Sequence, residues 1–375
     1  MFPGACTEGS VMSVEFIGYI GTRKFSEIHP AEGPILDRAY VETVAKAHEQ
    51  GDFDRALIAF HSTAPESILV AAHAASVTER LTFMIAHRPG FTAPTLAARQ
   101  FATLDQLTGG RIAVHIITGG NDAEQRQDGD FLGHDERYAR TDEYLGVLRR
   151  IWTSEQPFDH EGRFYRFERG FTDVKTLQKP HIPIYVGGSS DAAIAVAGRH
   201  ADVYALWGET HAQVRDTIAR VRAAAARHGR QPRFSLSLRP ILADTEEKAW
   251  ARADAILERV KEIRAKNQLG AVHLAGLSVG SQRLLAAAAQ GTRLDKRLWT
   301  AIAAATGARG NTTALVGTPE QVADALVDYY ALGVTTFLIR GFDPLEDAIE
   351  YGKSLLPLTR KLVADRVGAA VAAAE

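Results

Sequence analysis

The sequence predicts an α/β protein built as a (β/α)8 TIM barrel with insertions. Short β-branched or aromatic runs alternate with longer helical ones along the 375 residues, in eight strand-helix units. The strand-like runs are apolar at consecutive positions, as suits a sheet covered on both faces. No Gly-x-Gly-x-x-Gly follows the first of them, which favours a barrel over a doubly wound nucleotide fold.

The first strand is read at 14–20 and is followed by a helix at 37–50 that Gly51 ends. A strand at 55–59 leads to a helix at 66–77, and a strand at 81–86 to a helix at 95–107 stopped by Thr108-Gly109-Gly110. The fourth strand is 111–117. A departure follows, with a long helix at 136–152 and a small hairpin at 158–167 around Glu161-Gly162. The cadence resumes with a strand at 182–186, a helix at 190–198, a strand at 203–206 and a helix at 211–228. Strand seven is 234–242 and leads to a helix at 246–265. Residues 266–313 read as irregular, with repeated glycines and a polar middle; loops of that length are typically functional covers or disordered. A helix at 319–332, a strand at 336–339 and a helix at 345–356 complete the series. The chain thus divides into a disordered extension at 1–11, one barrel at 12–360 and a helical tail at 361–375. The barrel carries insertions near 119–175 and a mobile lid at 266–313.

Charge excludes some functions. With 43 Lys and Arg against 45 Asp and Glu, the chain is neither a polybasic nucleic-acid binder nor an acidic disordered tail. Cys6 is the single cysteine, so no internal disulfide framework exists. The first residues lack the pattern of a signal peptide and no apolar run spans a bilayer, so a cytoplasmic location is expected. No His-Glu-x-x-His, compact carboxylate cluster or Gly-x-Ser-x-Gly elbow occurs, so neither a metal site nor a hydrolase triad is read. Catalysis through a bound organic cofactor suits this inventory better.

The candidate site residues gather where strands end, because a barrel's active site lies at the strands' C-terminal mouth. Gly187-Gly188-Ser189-Ser190 follows strand five, and its glycines, hydroxyls and free N–H groups suit a phosphate. The same residues equally make a tight turn with Ser190 as a helix cap. Thr118-Gly119-Gly120-Asn121 follows strand four, where close backbone approach suits a flat ring or simply a chain turn. His134 and Tyr138 flank the start of the longest helix. Trp207 ends strand six and either walls a pocket or packs the barrel end. Arg239 sits inside an apolar run, where a charge is costly unless paired or facing a ligand, and Arg309 lies in a glycine-flanked loop. Together the two arginines suggest an anionic ligand.

Many of these stretches, in order, resemble the bacterial luciferase-like flavin monooxygenases, closest to the alkanesulfonate monooxygenase group. They are Arg88-Pro89-Gly90, Gly110-Arg111, Thr118-Gly119-Gly120, His134-x-Glu136-Arg137-Tyr138, Gly187-Gly188-Ser189-Ser190-Asp191, Trp207-Gly208-Glu209 and Thr313-Ala314-Leu315-Val316-Gly317. The resemblance implies reduced FMN, molecular oxygen as co-substrate, a separate NAD(P)H-dependent FMN reductase and a homodimer or homotetramer. It places Gly188, Ser189, Ser190, His134 and Tyr138 at the cofactor phosphate or ring, and Thr118 and Asn121 along the isoalloxazine edge. Trp207, Arg239 and Arg309 would face the substrate, with His61 counted among the catalytic candidates. The group's cysteine after strand two is absent, Ser237 and Arg239 stand for an arginine and histidine pair, and Phe342 replaces a tyrosine. His29, His61 and Ser237 add polarity at the mouth, which would suit a hydroxyl-bearing sulfonate such as the sulfosugar sulfoquinovose. The expected reaction is desulfonation of a small organosulfonate to sulfite and a carbonyl product. A sulfone or long-chain alkane monooxygenase, a deazaflavin-dependent dehydrogenase and a non-enzymatic binding protein are the alternatives.

Overall fold

The computed structural model describes residues 13–267, 277–308 and 310–372. Eight parallel strands close a barrel: β1 (Glu15–Tyr19), β2 (Arg55–Ile58), β3 (Thr82–His87), β4 (Ile112–Ile116), β5 (Ile184–Gly187), β6 (Val203–Trp207), β7 (Arg233–Leu242) and β8 (Thr336–Ile339). Each pairs with its neighbours in chain order, and the Glu15–Thr336 register joins β8 back to β1.

Alternation along each strand divides the side chains between two cores. Ile17, Met84, Ala113, Tyr185, Val203 and Leu338 fill the barrel interior. Phe16, Phe83, Ile112, Phe234 and Phe337 face outward against the helices in the larger cluster. Caps explain where the helices begin. Thr210 and Thr318 each form a reciprocal capping box, with Gln213 and Gln321, and Asp37 accepts from Tyr40 N–H. The expected hairpin is an antiparallel pair, Phe158–Glu161 with Arg166–Gly170.

Within the segment read as irregular at 266–313, the described residues from 277 on have regular structure, which corrects that reading for them. They hold helix Val279–Gln290, a short antiparallel pair at Arg293–Leu294 and Leu298–Trp299, and helix Ala301–Thr306. Ser278 caps the first helix, Leu284 packs with Ala303 and Ala308, and Ala287 is buried as well. The stretch Leu284-Leu285-Ala286-Ala287-Ala288-Ala289 carries high helical propensity, which the flanking glycines obscured. Strand Ala314–Gly317 then pairs in parallel with the far half of β7, from Arg239–Ala314 to Leu242–Gly317. The last helix, Leu356–Ala372, continues from Pro344–Glu350 through a π-helical turn at Tyr351–Leu355. Among the described residues no helix is long and apolar enough to cross a membrane. The expected extension at 1–11 lies outside the described residues.

Candidate active site

The interior of the barrel opens toward the C-terminal ends of the strands. Deep inward-facing residues such as Ile17, Ala113, Tyr185 and Val203 are fully buried. One inward step higher, Tyr19, His115, Gly187 and Ala205 are partly exposed, as is Trp207 above Ala205. Those residues line a mouth.

One side of it is built around the turn after β5. Gly188 has φ +123, a left-handed conformation that favours glycine, and a Cβ there would lie 2.6 Å from Tyr138 Oη. The Gly188 carbonyl accepts a hydrogen bond from Tyr204. Ser190 Oγ accepts from Ala193 N–H at 3.2 Å and caps helix Asp191–His200, so its capping and site roles coexist. Tyr138 is buried within hydrogen-bonding reach of Ser190 and Thr118; burial raises its pKa. Thr118 Oγ1 lies 3.1 Å from Thr141 Oγ1, and the His134 and Tyr138 rings are 5.0 Å apart. Beside this group lies a cleft of about 450 Å³ lined by Ser189, Ser190, Asp135, Asp191, Arg220 and Arg283. Thr118, His134, Tyr138, Gly188, Ser189 and Ser190 therefore come together as the sequence suggested. Asn121 lies three residues beyond Thr118, at the start of the next helix. Its side chain accepts from Ala123 and Glu124 N–H and caps helix Asp122–Gln127.

These residues fit a flavin mononucleotide phosphate. The Gly188 cradle is a space that a Cβ would fill, and two hydroxyls and a helix N-terminus supply donors and positive potential. Arg220, 2.7 Å from Asp191, offsets one of the two carboxylates on the cleft.

The other side of the mouth is cationic. Arg239 is completely buried, two positions beyond Ser237 on the inner face of β7. Its Nη2 donates to Gly341 O at 2.9 Å, and its guanidinium lies 3.5 Å from the Phe342 ring centre. Its Nη1 is 2.7 Å from Glu27 Oε2, although neither of these atoms makes a well-directed hydrogen bond. Glu27 Oε1 accepts from Arg340 Nη2 at 2.8 Å. Burial raises the Glu27 pKa, but the charges of Arg239 and Arg340 prevail and hold it at about 2. Burial draws Arg239 down to about 10 despite Glu27.

Among the described residues, the arginine that shares Glu27 with Arg239 is Arg340, on the inward face just past β8. Arg309 lies outside the described residues. Alternation from Leu338 was the available signal for Arg340; Glu27, in an unpatterned loop, gave none. Ser237 is buried beside Trp207, its register partner on β6. His29 on the Glu27 loop is 2.5 Å from Asp343, which Arg252 also holds. His61 belongs to a different cluster. It is 55% exposed, bonds to Thr63 at 3.0 Å, and sits 3.7 Å from Glu124, which is ion-paired with buried Arg88.

Helix Val279–Gln290 packs against the mouth. A Cβ on Gly280 would lie 2.9 Å from the Trp207 indole and 3.6 Å from Ser189 Oγ. Arg283 clamps the helix through Nε and Nη2, each 2.7 Å from the buried Glu209 carboxylate. Among the described residues no group of three His, Cys, Asp or Glu could hold a metal ion.

Among the solved structures that share this architecture, three illustrate it. EDTA monooxygenase (EmoA) from Chelativorans sp. BNC1 is 20% identical with a TM-score of 0.76, covering 93% of this chain and 94% of that one. DmoA from Hyphomicrobium sulfonivorans is 20% identical with a TM-score of 0.74, covering 93% and 88%. Long-chain alkane monooxygenase (LadA) is 19% identical with a TM-score of 0.73, covering 93% and 91%. At these identities the likeness establishes the fold. Residues 14–336 match the luciferase-like monooxygenase family model, and the chain is an enzyme belonging to that family of flavin-dependent monooxygenases.

Proposed function

We propose that the enzyme is a two-component monooxygenase that uses reduced FMN to desulfonate a small organosulfonate, either an alkanesulfonate or a sulfosugar. A separate NAD(P)H-dependent reductase supplies the reduced FMN, and the enzyme works as a homodimer or homotetramer. The single observation that carries the substrate class is the rim cluster: two arginines, Arg239 and Arg340, share one carboxylate, Glu27. The three side chains leave one positive charge in excess beside an inward-facing mouth.

Reduced FMN, when bound, supplies the activation of molecular oxygen; one oxygen atom goes to the carbonyl product and the other to water, while sulfite departs. The protein's own part is positioning. Ser189, Ser190 and the first turn of helix Asp191–His200 hold the phosphate, backed by Tyr138. Arg340, 29% exposed, reaches toward the sulfonate, while Arg239 and Phe342 fix the rim beneath it. Trp207 and helix Val279–Gln290 keep bulk water from the mouth.

One observation favours a second reading, a neutral sulfone or alkane as substrate: Arg239 is wholly buried and already faces a carboxylate. Sulfite release separates the two. Enzyme, reduced FMN and each member of a panel of sulfonates, sulfosugars, sulfones and alkanes are mixed without oxygen, and oxygen is then admitted. Sulfite from at least one sulfonate is expected. Oxygen-dependent product from sulfones or alkanes alone would establish the second reading, and no product from any of them would refute both.

A further inference from the structure

We infer that His115 is a positioning residue for the flat ring of the flavin, hydrogen-bonding the ring from the inner face of β4. The inference rests on the proposed flavin binding and adds to it a residue that neither the motifs nor the comparisons single out.

Alternation beyond Ala113 turns His115 into the barrel, at the level where the interior becomes accessible. The inward residues around it are small. Ala86 is its register partner on β3, Gly187 is the upper inward residue on β5, and Ala205 follows on β6. A Cβ on Gly187 would lie 3.9 Å from His115 Cε1, so the missing side chain leaves the edge of the imidazole uncovered. Three strands therefore withhold bulk beside one aromatic polar group, in the part of the mouth next to the Gly188–Ser190 turn. Such a space admits a planar ligand rather than a packed core.

Two buried histidines of the outer layer, His48 and His87, behave differently. His48 Nδ1 is 2.7 Å from Val44 O, and His87 Nε2 is 2.6 Å from Tyr144 Oη, so each has a local structural partner. His115 Nδ1 is buried and has no hydrogen-bond partner among the described residues. An orphaned polar atom of that kind is unusual unless a ligand completes it. Burial also lowers the His115 pKa to about 4, which keeps the ring neutral at physiological pH. A neutral imidazole offers one N–H and one lone pair, matching the mixed donors and carbonyls along an isoalloxazine edge.

The full-length protein is titrated with oxidised FMN and, separately, with riboflavin, following flavin fluorescence and the visible absorption band. His115→Ala should weaken both ligands by about tenfold, since one hydrogen bond is lost in either case, and should erase the shift of the bound flavin's absorption. His115→Asn, which retains a neutral donor and acceptor, should restore most of the affinity and the shift. Wild-type affinity and spectrum in His115→Ala would overturn the assignment, as would weakening of FMN without riboflavin. Failure of the wild type to bind either ligand would instead overturn the flavin reading itself, and this inference with it.

Discussion

Glu27→Gln removes the negative charge that Arg239 and Arg340 share while keeping the shape of the side chain. In the folded protein Glu27 titrates at about 2 rather than the ordinary 4.5: burial opposes ionisation, and Arg239 and Arg340 more than compensate. A depression of that size is worth about 3 kcal/mol. Because the folded value is the lower one, the contribution is complete above pH 4.5 and disappears as pH falls toward 2. Burial of Arg239 works against it, lowering that group's own pKa from 12.5 to about 10. The pair as a whole therefore adds little, and removing one side does the damage. The single substitution should cost about 3 kcal/mol and lower the melting temperature by about 4 °C in a chain of this length. Thermal melts at pH 7.5, low salt and constant scan rate measure it. Glu27→Gln/Arg239→Met should melt closer to wild type than the single variant, and added sulfate should protect Glu27→Gln more than wild type. A single variant melting within about 1 °C of wild type, or a double variant that is no better, would refute the reasoning.

Two further outcomes follow from the geometry. Burial holds His48 and His87 at about 4, below the ordinary 6.5, so the unfolded chain takes up their protons first as pH falls. Stability should be intact above pH 6.5 and decline toward pH 4, by up to about 3 kcal/mol per histidine; equal urea midpoints at pH 7.5 and 4.5 would contradict this. Gly188→Ala places a Cβ against Tyr138 in a left-handed conformation and should weaken FMN at least tenfold, and riboflavin less. Unchanged FMN affinity by equilibrium titration would separate the turn from the phosphate.

The barrel was legible because parallel strands buried on both faces must be apolar throughout, and Val114, Ile184 and Leu236 announce that directly. Local chemistry also marked the turn proposed for the phosphate: Gly188 and Ser190 do there what glycine and serine do in any strand-to-helix corner. The rim was less legible because its charge balance is assembled from distant pieces. Arg239 comes from β7, Arg340 from just past β8, and Glu27 from a loop more than two hundred residues away from Arg239 in the chain. Nothing near Glu27 encodes its partners. His115 could have been found by the reasoning that found Arg239, since each is a polar residue at an inward position of an apolar strand.

β7 serves two structures at once. Its first half completes the barrel with β6 and β8, and its second half, from Arg239 on, is hydrogen-bonded to Ala314–Gly317, with Arg239 N–H donating to Thr313 O at 3.0 Å. The excursion between strands seven and eight is thus stitched to the backbone of the very arginine that anchors the rim. Trimming that excursion, or grafting a relative's in its place, would shift the guanidinium together with the covering helix. On the proposed function, substrate range and cover form one mechanical module, so attempts to re-aim this enzyme should exchange them as a unit.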